Sequence, residues 1–219
     1  MSSTTGIIAE FKRKSPSKGW IKEGAEISIA AQYEHAGAAG VSILTDDEFF
    51  GGSTEDLVDV RKMLSIPILR KDFIIDEFQL RESKAFGADV ILLIAACLSK
   101  EEVKRFAMAA HELGLEVLLE IHEEGELGHI CEEIDLVGVN NRDLKTFEVN
   151  IQRSIDLSSK IPKGKILISE SGLERAEDLK QLRKHGFKGF LMGEYFMKND
   201  DPGACLGDLI DQLKPINEN

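Results

Sequence analysis

Five charged residues close four short aliphatic runs, and the alternation within each run decides which side chains share a side. In IIAEFK, just after Gly6, Ile8, Glu10 and Lys12 point one way, because successive side chains of a strand face opposite ways. The same rule groups Leu69 with Lys71 in ILRKDF, Leu118 with Glu120 in EVLLEI, and Ile168 with Glu170 in ILISES. Asn140 ends a further run, LVGVNN. Each set starts apolar and ends polar. Brought to one end of a sheet and partly removed from water, two cations and three carboxylates shift one another's pKa values, which gives a site both an acid and a base at neutral pH. Rim salt bridges explain any single one of these residues. They explain the set of six polar residues poorly, because a buried ion cluster gains little net stability over apolar packing.

Eight aliphatic runs recur along the chain: IIAEFK, VSILTD from Val41, IPILRKDF from Ile66, VILLIAA from Val90, EVLLEI from Glu116, LVGVNN from Leu136, ILISES from Ile166 and GFLMGE from Gly189. Segments with helical spacing lie between them, including Ile27 to His35, Thr54 to Leu64, Asp76 to Phe86, Lys100 to Leu113 and Arg175 to His185. Gly37, Gly87, Gly114 and Gly186 stand where a helix must stop and the chain turn back. Alternating βα units of this kind build either a closed barrel or an open doubly wound sheet. The strand count and the charged strand ends favour a single-domain α/β fold, a (β/α)8 TIM barrel over 1–219, with the polar ends at its C-terminal mouth. No Gly-x-Gly-x-x-Gly turn follows the first run, which weakens a dinucleotide-binding alternative.

The chain of 219 residues has 27 basic and 39 acidic residues, net −12, which disfavours nucleic acid and anionic lipid surfaces as partners. No stretch approaches the roughly 18 apolar residues of a membrane span, and Cys97, Cys131 and Cys205 form no Cys-x-x-Cys pair. Free thiols in a reducing cytoplasm follow. A phosphate group remains compatible with the charge, since a small site can be locally positive. Barrels commonly hold phosphate on the loops after strands seven and eight, where SESGL and MGEYF put Gly172 and Gly193. Ser15, in KRKSPSKGW, offers a hydroxyl and nearby Lys14 a positive charge.

In order and spacing, IIAEFKRKSPSKG, ILRKDFIID, LLEIH, GVNNRDLKTFEVN, ISESGL and FLMGE closely resemble the indole-3-glycerol-phosphate synthases of tryptophan biosynthesis, from about Gly6 to about Met197. The resemblance implies a decarboxylating, dehydrating ring closure of a small phosphorylated, anthranilate-derived substrate, with no cofactor and no metal. It assigns Lys71 as general acid at the carbonyl, Lys12 to the aromatic carboxylate and Glu120 to the dehydration. Glu10, Asn140 and Glu170 would bind sugar hydroxyls and orient the lysines, with Arg142 and Ser171 flanking them. Phe50 and Phe73 match positions lining the anthranilate pocket, and Ser15, Gly172 and Gly193 would take the phosphate. Beside a phosphate, Glu194 is repulsive unless its side chain turns away. Other tryptophan-pathway enzymes are the candidate protein partners.

Family members carry a helical extension ahead of the first strand, whereas only MSSTT precedes Gly6, so the expectation is a more open pocket and weaker substrate binding. Two other readings compete. One is another phosphate-binding barrel isomerase of amino-acid biosynthesis, for which the Cys/Asp or Asp/Asp pair at strand ends is missing. The other is a barrel that binds its ligand or a partner enzyme with impaired turnover. His122, two residues after Glu120, lacks a third ligand for a metal, Trp20 reads as rim packing or part of a lid, and the acidic stretches HEEGE and CEEID read as solvated helix faces.

Overall fold

The computed structural model describes residues 5–23, 25 and 27–214. The ends of the predicted domain, 1–4 and 215–219, lie outside the described residues. Eight parallel strands close on themselves: β1 (Ile7–Phe11), β2 (Gly40–Leu44), β3 (Ile68–Lys71), β4 (Val90–Ile94), β5 (Glu116–Ile121), β6 (Leu136–Asn140), β7 (Ile166–Glu170) and β8 (Phe187–Met192). Each strand pairs with its neighbour in sequence, and β1 also pairs with β8, with Ile7 opposite Phe190 and Ala9 opposite Met192. Closure leaves no open edge in this sheet. The barrel predicted from strand count is the fold observed.

Helices α1 (Ile29–Ala36), α2 (Thr54–Met63), α3 (Glu77–Phe86), α4 (Lys100–Glu112), α5 (Gln152–Ser158), α6 (Ala176–Lys184) and α7 (Pro202–Leu213) surround it. Their starts are written in the sequence. Ser53 accepts from the Asp56 N–H, while Asp76 with Gln79 and Ser99 with Glu102 form capping boxes. Val103, Phe106, Ala107 and Ala110 recur at helical spacing and give α4 its buried stripe.

The two faces of each strand serve different cores. Outward side chains such as Ile7, Ile91, Leu93, Val117, Leu119, Val137 and Val139 pack under the helices in the large cluster. Inward ones, Leu69, Leu92, Leu118, Ile168 and Leu191, form a separate cluster inside the barrel. That inner layer is the apolar floor beneath the charged strand ends.

One connection departs from the alternation. Between β5 and β6 the chain makes only a 3-10 turn, Glu124–His129, and Glu132 and Glu133 lie in a further turn. HEEGE and CEEID are therefore not helix faces. Gly125 and Gly128 fall inside the six-residue turn, and two glycines there make a longer helix unfavourable by roughly 1 kcal/mol each relative to alanine.

Candidate active site

At the C-terminal mouth a cavity of about 580 Å3 opens above the apolar floor. Glu10, Lys12, Lys71, Glu120, Asn140 and Glu170 all line it, so the six polar strand ends grouped from the sequence meet in one place. Lys71 is the hub. Its Nζ lies 3.6 Å from Glu120 Oε2 and 3.8 Å from both Glu10 Oε2 and Glu170 Oε2. Lys12 Nζ sits 2.7 Å from Glu10 Oε1, and Asn140 Nδ2 donates to Glu120 Oε1 at 3.2 Å.

Outward neighbours hold these ends in place. Arg70, buried behind Lys71, donates to Thr45 Oγ1, the Gln79 carbonyl and Ser83 Oγ at 3.1 Å each, and to Asp72 Oδ2 at 2.9 Å. It pins β3 to α3. Asn141, beside Asn140, donates to Ser169 Oγ at 3.0 Å and the Ser171 carbonyl at 3.2 Å, and accepts from Ser154 Oγ at 2.8 Å. This fixes β6, β7 and α5 relative to one another. Gly138 makes room from within, because a Cβ there would collide with Glu170 Oε1.

The charges sort by environment. Burial works against the Lys71 ammonium, but Glu120, Glu10 and Glu170 outweigh it and hold its pKa above the ordinary lysine range. Burial likewise opposes ionisation of Glu10 and Glu120. Lys12 and Lys71 overcome it at the first, and Lys71 and His122 at the second, so both titrate below a free glutamate. Glu170 goes the other way: burial and the charge on Glu120 push it up to about 8. At neutral pH the mouth thus holds two carboxylates, one neutral carboxylic acid and a charged lysine hub.

Phe50 and Phe73 both line the cavity, with ring centroids 6.3 Å apart. Ser15, Ser171, Gly172, Gly193 and Glu194, from the loops after β1, β7 and β8, line it as well. The Ser15 hydroxyl is buried there without a hydrogen-bond partner. Gly172 has φ 69°, in the left-handed region, and a side chain at that position would strike Val149. Glu194 does turn its carboxylate aside, onto Lys18, onto Lys198 Nζ at 2.6 Å and onto Arg142 at 3.3 Å. Burial resists its ionisation, yet Lys18 and Lys198 prevail and bring its pKa down to about 2.

Lys14, expected to bring a positive charge to the cavity, does not line it. Lys14 Nζ donates to the Glu48 carbonyl at 2.7 Å, while Lys18, four residues on, lines the cavity. The reason is a small hairpin, Lys14–Ser15 against Gly19–Trp20, that turns Lys14 toward the Asp47–Phe50 helical turn. Trp20 is 53% exposed, with Lys14 Nζ 6.0 Å from its ring centroid. His122, whose sequence context offers only a metal-ligand reading without a third ligand, also lines the cavity. Leu44, Leu92 and Leu191 join the lining without any sequence signal beyond their apolar character.

Comparison with known proteins gives the site a context. The family described as indole-3-glycerol phosphate synthase matches residues 1–209. An indole-3-glycerol phosphate synthase of Bacteroides thetaiotaomicron is 51% identical over 214 residues, covering 97% of this chain and 82% of the relative. Those of Polynucleobacter asymbioticus and of Neisseria meningitidis serogroup B are 46% and 47% identical, each covering 93% of this chain and 77% and 78% of theirs. In fold, the structure resembles a mutant tryptophan synthase α-subunit from Pyrococcus furiosus, with a TM-score of 0.71 at 15% identity over 97% of this chain and 99% of that one.

Proposed function

The chain belongs to the indole-3-glycerol phosphate synthase family, and on that premise we propose how its barrel mouth converts 1-(2-carboxyphenylamino)-1-deoxyribulose 5-phosphate into indole-3-glycerol phosphate, carbon dioxide and water. The observation that carries the assignment is the Lys71 ammonium held within 3.8 Å of Glu10, Glu120 and Glu170.

Ring closure joins the carboxyl-bearing ring carbon to the ketone carbon, and the ketone oxygen needs a proton as the bond forms. Lys71 supplies it: the surrounding carboxylates weaken it as an acid but keep it charged at neutral pH, so that a proton is always present to give. Lys12, steadied by Glu10, pairs with the aromatic carboxylate until that group leaves as carbon dioxide and its electron pair returns to the ring. The new hydroxyl then departs as water with a second proton, delivered by Lys12 once the carboxylate it held has left, and a proton is lost from the carbon beside the ring nitrogen. Glu120, ionised and beside Lys71, receives that proton. Glu170, as a neutral acid, and Asn140 hydrogen-bond the sugar hydroxyls. Phe50 and Phe73 offer apolar ring surface to the anthranilate.

Phosphate is assigned to the Ser15 hydroxyl and the backbone N–H groups of Gly172 and Gly193, with Arg142 and Ser171 beside it. The unpartnered Ser15 hydroxyl supports this. Three unpaired cysteines support a reducing, cytoplasmic setting, and among the described residues no helix is long and apolar enough to cross a membrane.

Indole fluorescence after addition of the carboxyphenylamino-deoxyribulose phosphate tests the assignment. The expected outcome is robust turnover by the wild type and roughly 10^2- to 10^4-fold less by Lys71→Ala, the usual size of a general-acid contribution. Equal rates would remove Lys71 from the role.

A further inference from the structure

His122 follows directly on β5 and is 6% exposed at the edge of the cavity. Its Nε2 lies 3.1 Å from Glu120 Oε1, and its Nδ1 lies 3.6 Å from Glu126 Oε2. Glu126 is half-buried in the 3-10 turn, where its Oε2 also accepts the backbone N–H of His122 at 2.5 Å and of Glu123 at 3.4 Å. The ring therefore stands between two carboxylates. An ionised carboxylate only accepts, so an imidazolium with N–H on both nitrogens is the one form that suits both neighbours.

The contact divides the labour between the two oxygens of Glu120. Oε1 faces His122 and Asn140, while Oε2 faces Lys71 across the open mouth. We propose that His122 is a positioning residue for the ring closure: clamped between Glu126 and Glu120 as a cation, it fixes the Glu120 carboxylate by one oxygen and leaves the other aimed at the substrate. The inference rests on the functional reading above and adds to it a residue that acts through Glu120.

Titratable groups approach the ring from each side. Glu120 faces it from β5 and Glu126 from the 3-10 turn. Cys97, in the turn after β4, also lines the cavity and is close enough for both carboxylates to raise its pKa, after burial. Lys71 and Asn140 reach it only through Glu120. Neither ring nitrogen meets its carboxylate in hydrogen-bond geometry, so the two contacts act through charge: burial disfavours the charged ring, but Glu120 and Glu126 outweigh it and lift its pKa to about 9. A cation at neutral pH is the result.

Two variants and two readouts test the clamp. His122→Gln keeps an N–H near the Nε2 position but cannot carry charge or titrate. Its kcat should fall by up to roughly 10^2-fold, the cost of about 1 Å of misplacement at a reacting group, with much less change in KM. The part of the alkaline limb of kcat against pH that belongs to His122 should be lost, leaving the limb set by Glu170. Glu126→Gln removes one of the two carboxylates, so the His122 part should move to lower pH. Imidazole 15N shifts, titrated without substrate, read the same clamp independently of turnover: the His122 midpoint should lie well above 6.5 and drop in Glu126→Gln. If His122→Gln fails to fold, Glu126→Gln decides alone. A midpoint near 6.5, or one unmoved in Glu126→Gln, overturns the proposal, as does an unmoved kcat limb in an active Glu126→Gln. An inactive wild type with the raised midpoint would count instead against the functional reading.

Discussion

Glu120 and Glu170 stand on β5 and β7 with β6 between them and are the same residue type, yet they are held in opposite protonation states. Both are buried, which by itself favours the neutral form. Glu120 has Lys71 and His122 beside it and stays ionised. Glu170 has the Glu120 charge for a neighbour and keeps its proton up to about 8. The stability consequence has a definite sign. A carboxyl whose folded pKa exceeds its unfolded value of 4.5 contributes stability below about 4.5, and that contribution is lost as pH rises through 8. Glu170→Gln, which imitates the neutral acid and does not titrate, should flatten the fall of the melting temperature between pH 5 and 8. Identical slopes in calorimetric scans of wild type and variant would mean that Glu170 is ionised after all.

At the scale of elements, the site is only as well placed as the strands that end in it, and β6, β7 and α5 are joined by a buried polar knot of Asn141, Ser154 and Ser169. Ser154→Ala leaves Asn141 Oδ1 without the hydroxyl that donates to it. The Ser154 backbone N–H still reaches that oxygen at 3.3 Å, so urea denaturation should show a loss of about 0.5–1.5 kcal/mol, the net worth of the hydroxyl's hydrogen bond. Activity should fall too, because Asn140 and Glu170 flank the knot. The charged strand ends were legible in the sequence because a strand's two-residue period is fixed by its geometry, so Ile8, Glu10 and Lys12 must share a side whatever the fold. Loops carry no such period. Lys14 and Lys18 are chemically alike in KRKSPSKGW, and only the hairpin pairing decides which enters the cavity. His122 escaped for a related reason: its partner Glu126 lies in a glycine-interrupted turn, where helical spacing gives no guidance.

For the molecule as a whole, the ring of strands makes the two ends of the chain interdependent. β1 pairs with β8, and α7, the last described helix, packs against α1. Leu209 of α7 is 1% exposed in the outer core. Leu209→Ala, more than a hundred residues in sequence from Lys71, should cost about 2–5 kcal/mol. The barrel should still unfold in one transition, with far-UV circular dichroism and calorimetry coinciding. A separate early transition would show that the terminal elements open independently.

The Glu194 clasp on Lys18, Lys198 and Arg142 also bears on how cargo comes and goes. With the phosphate assigned beside it, an arriving dianion would not meet bare cations. It would trade places with an anion the protein already owns, and net attraction would reflect only the difference between the two partners. Departure would be eased by the same token, since the carboxylate would reclaim its cations as the ligand withdraws. Such a berth would work by exchange, favouring traffic over tight retention.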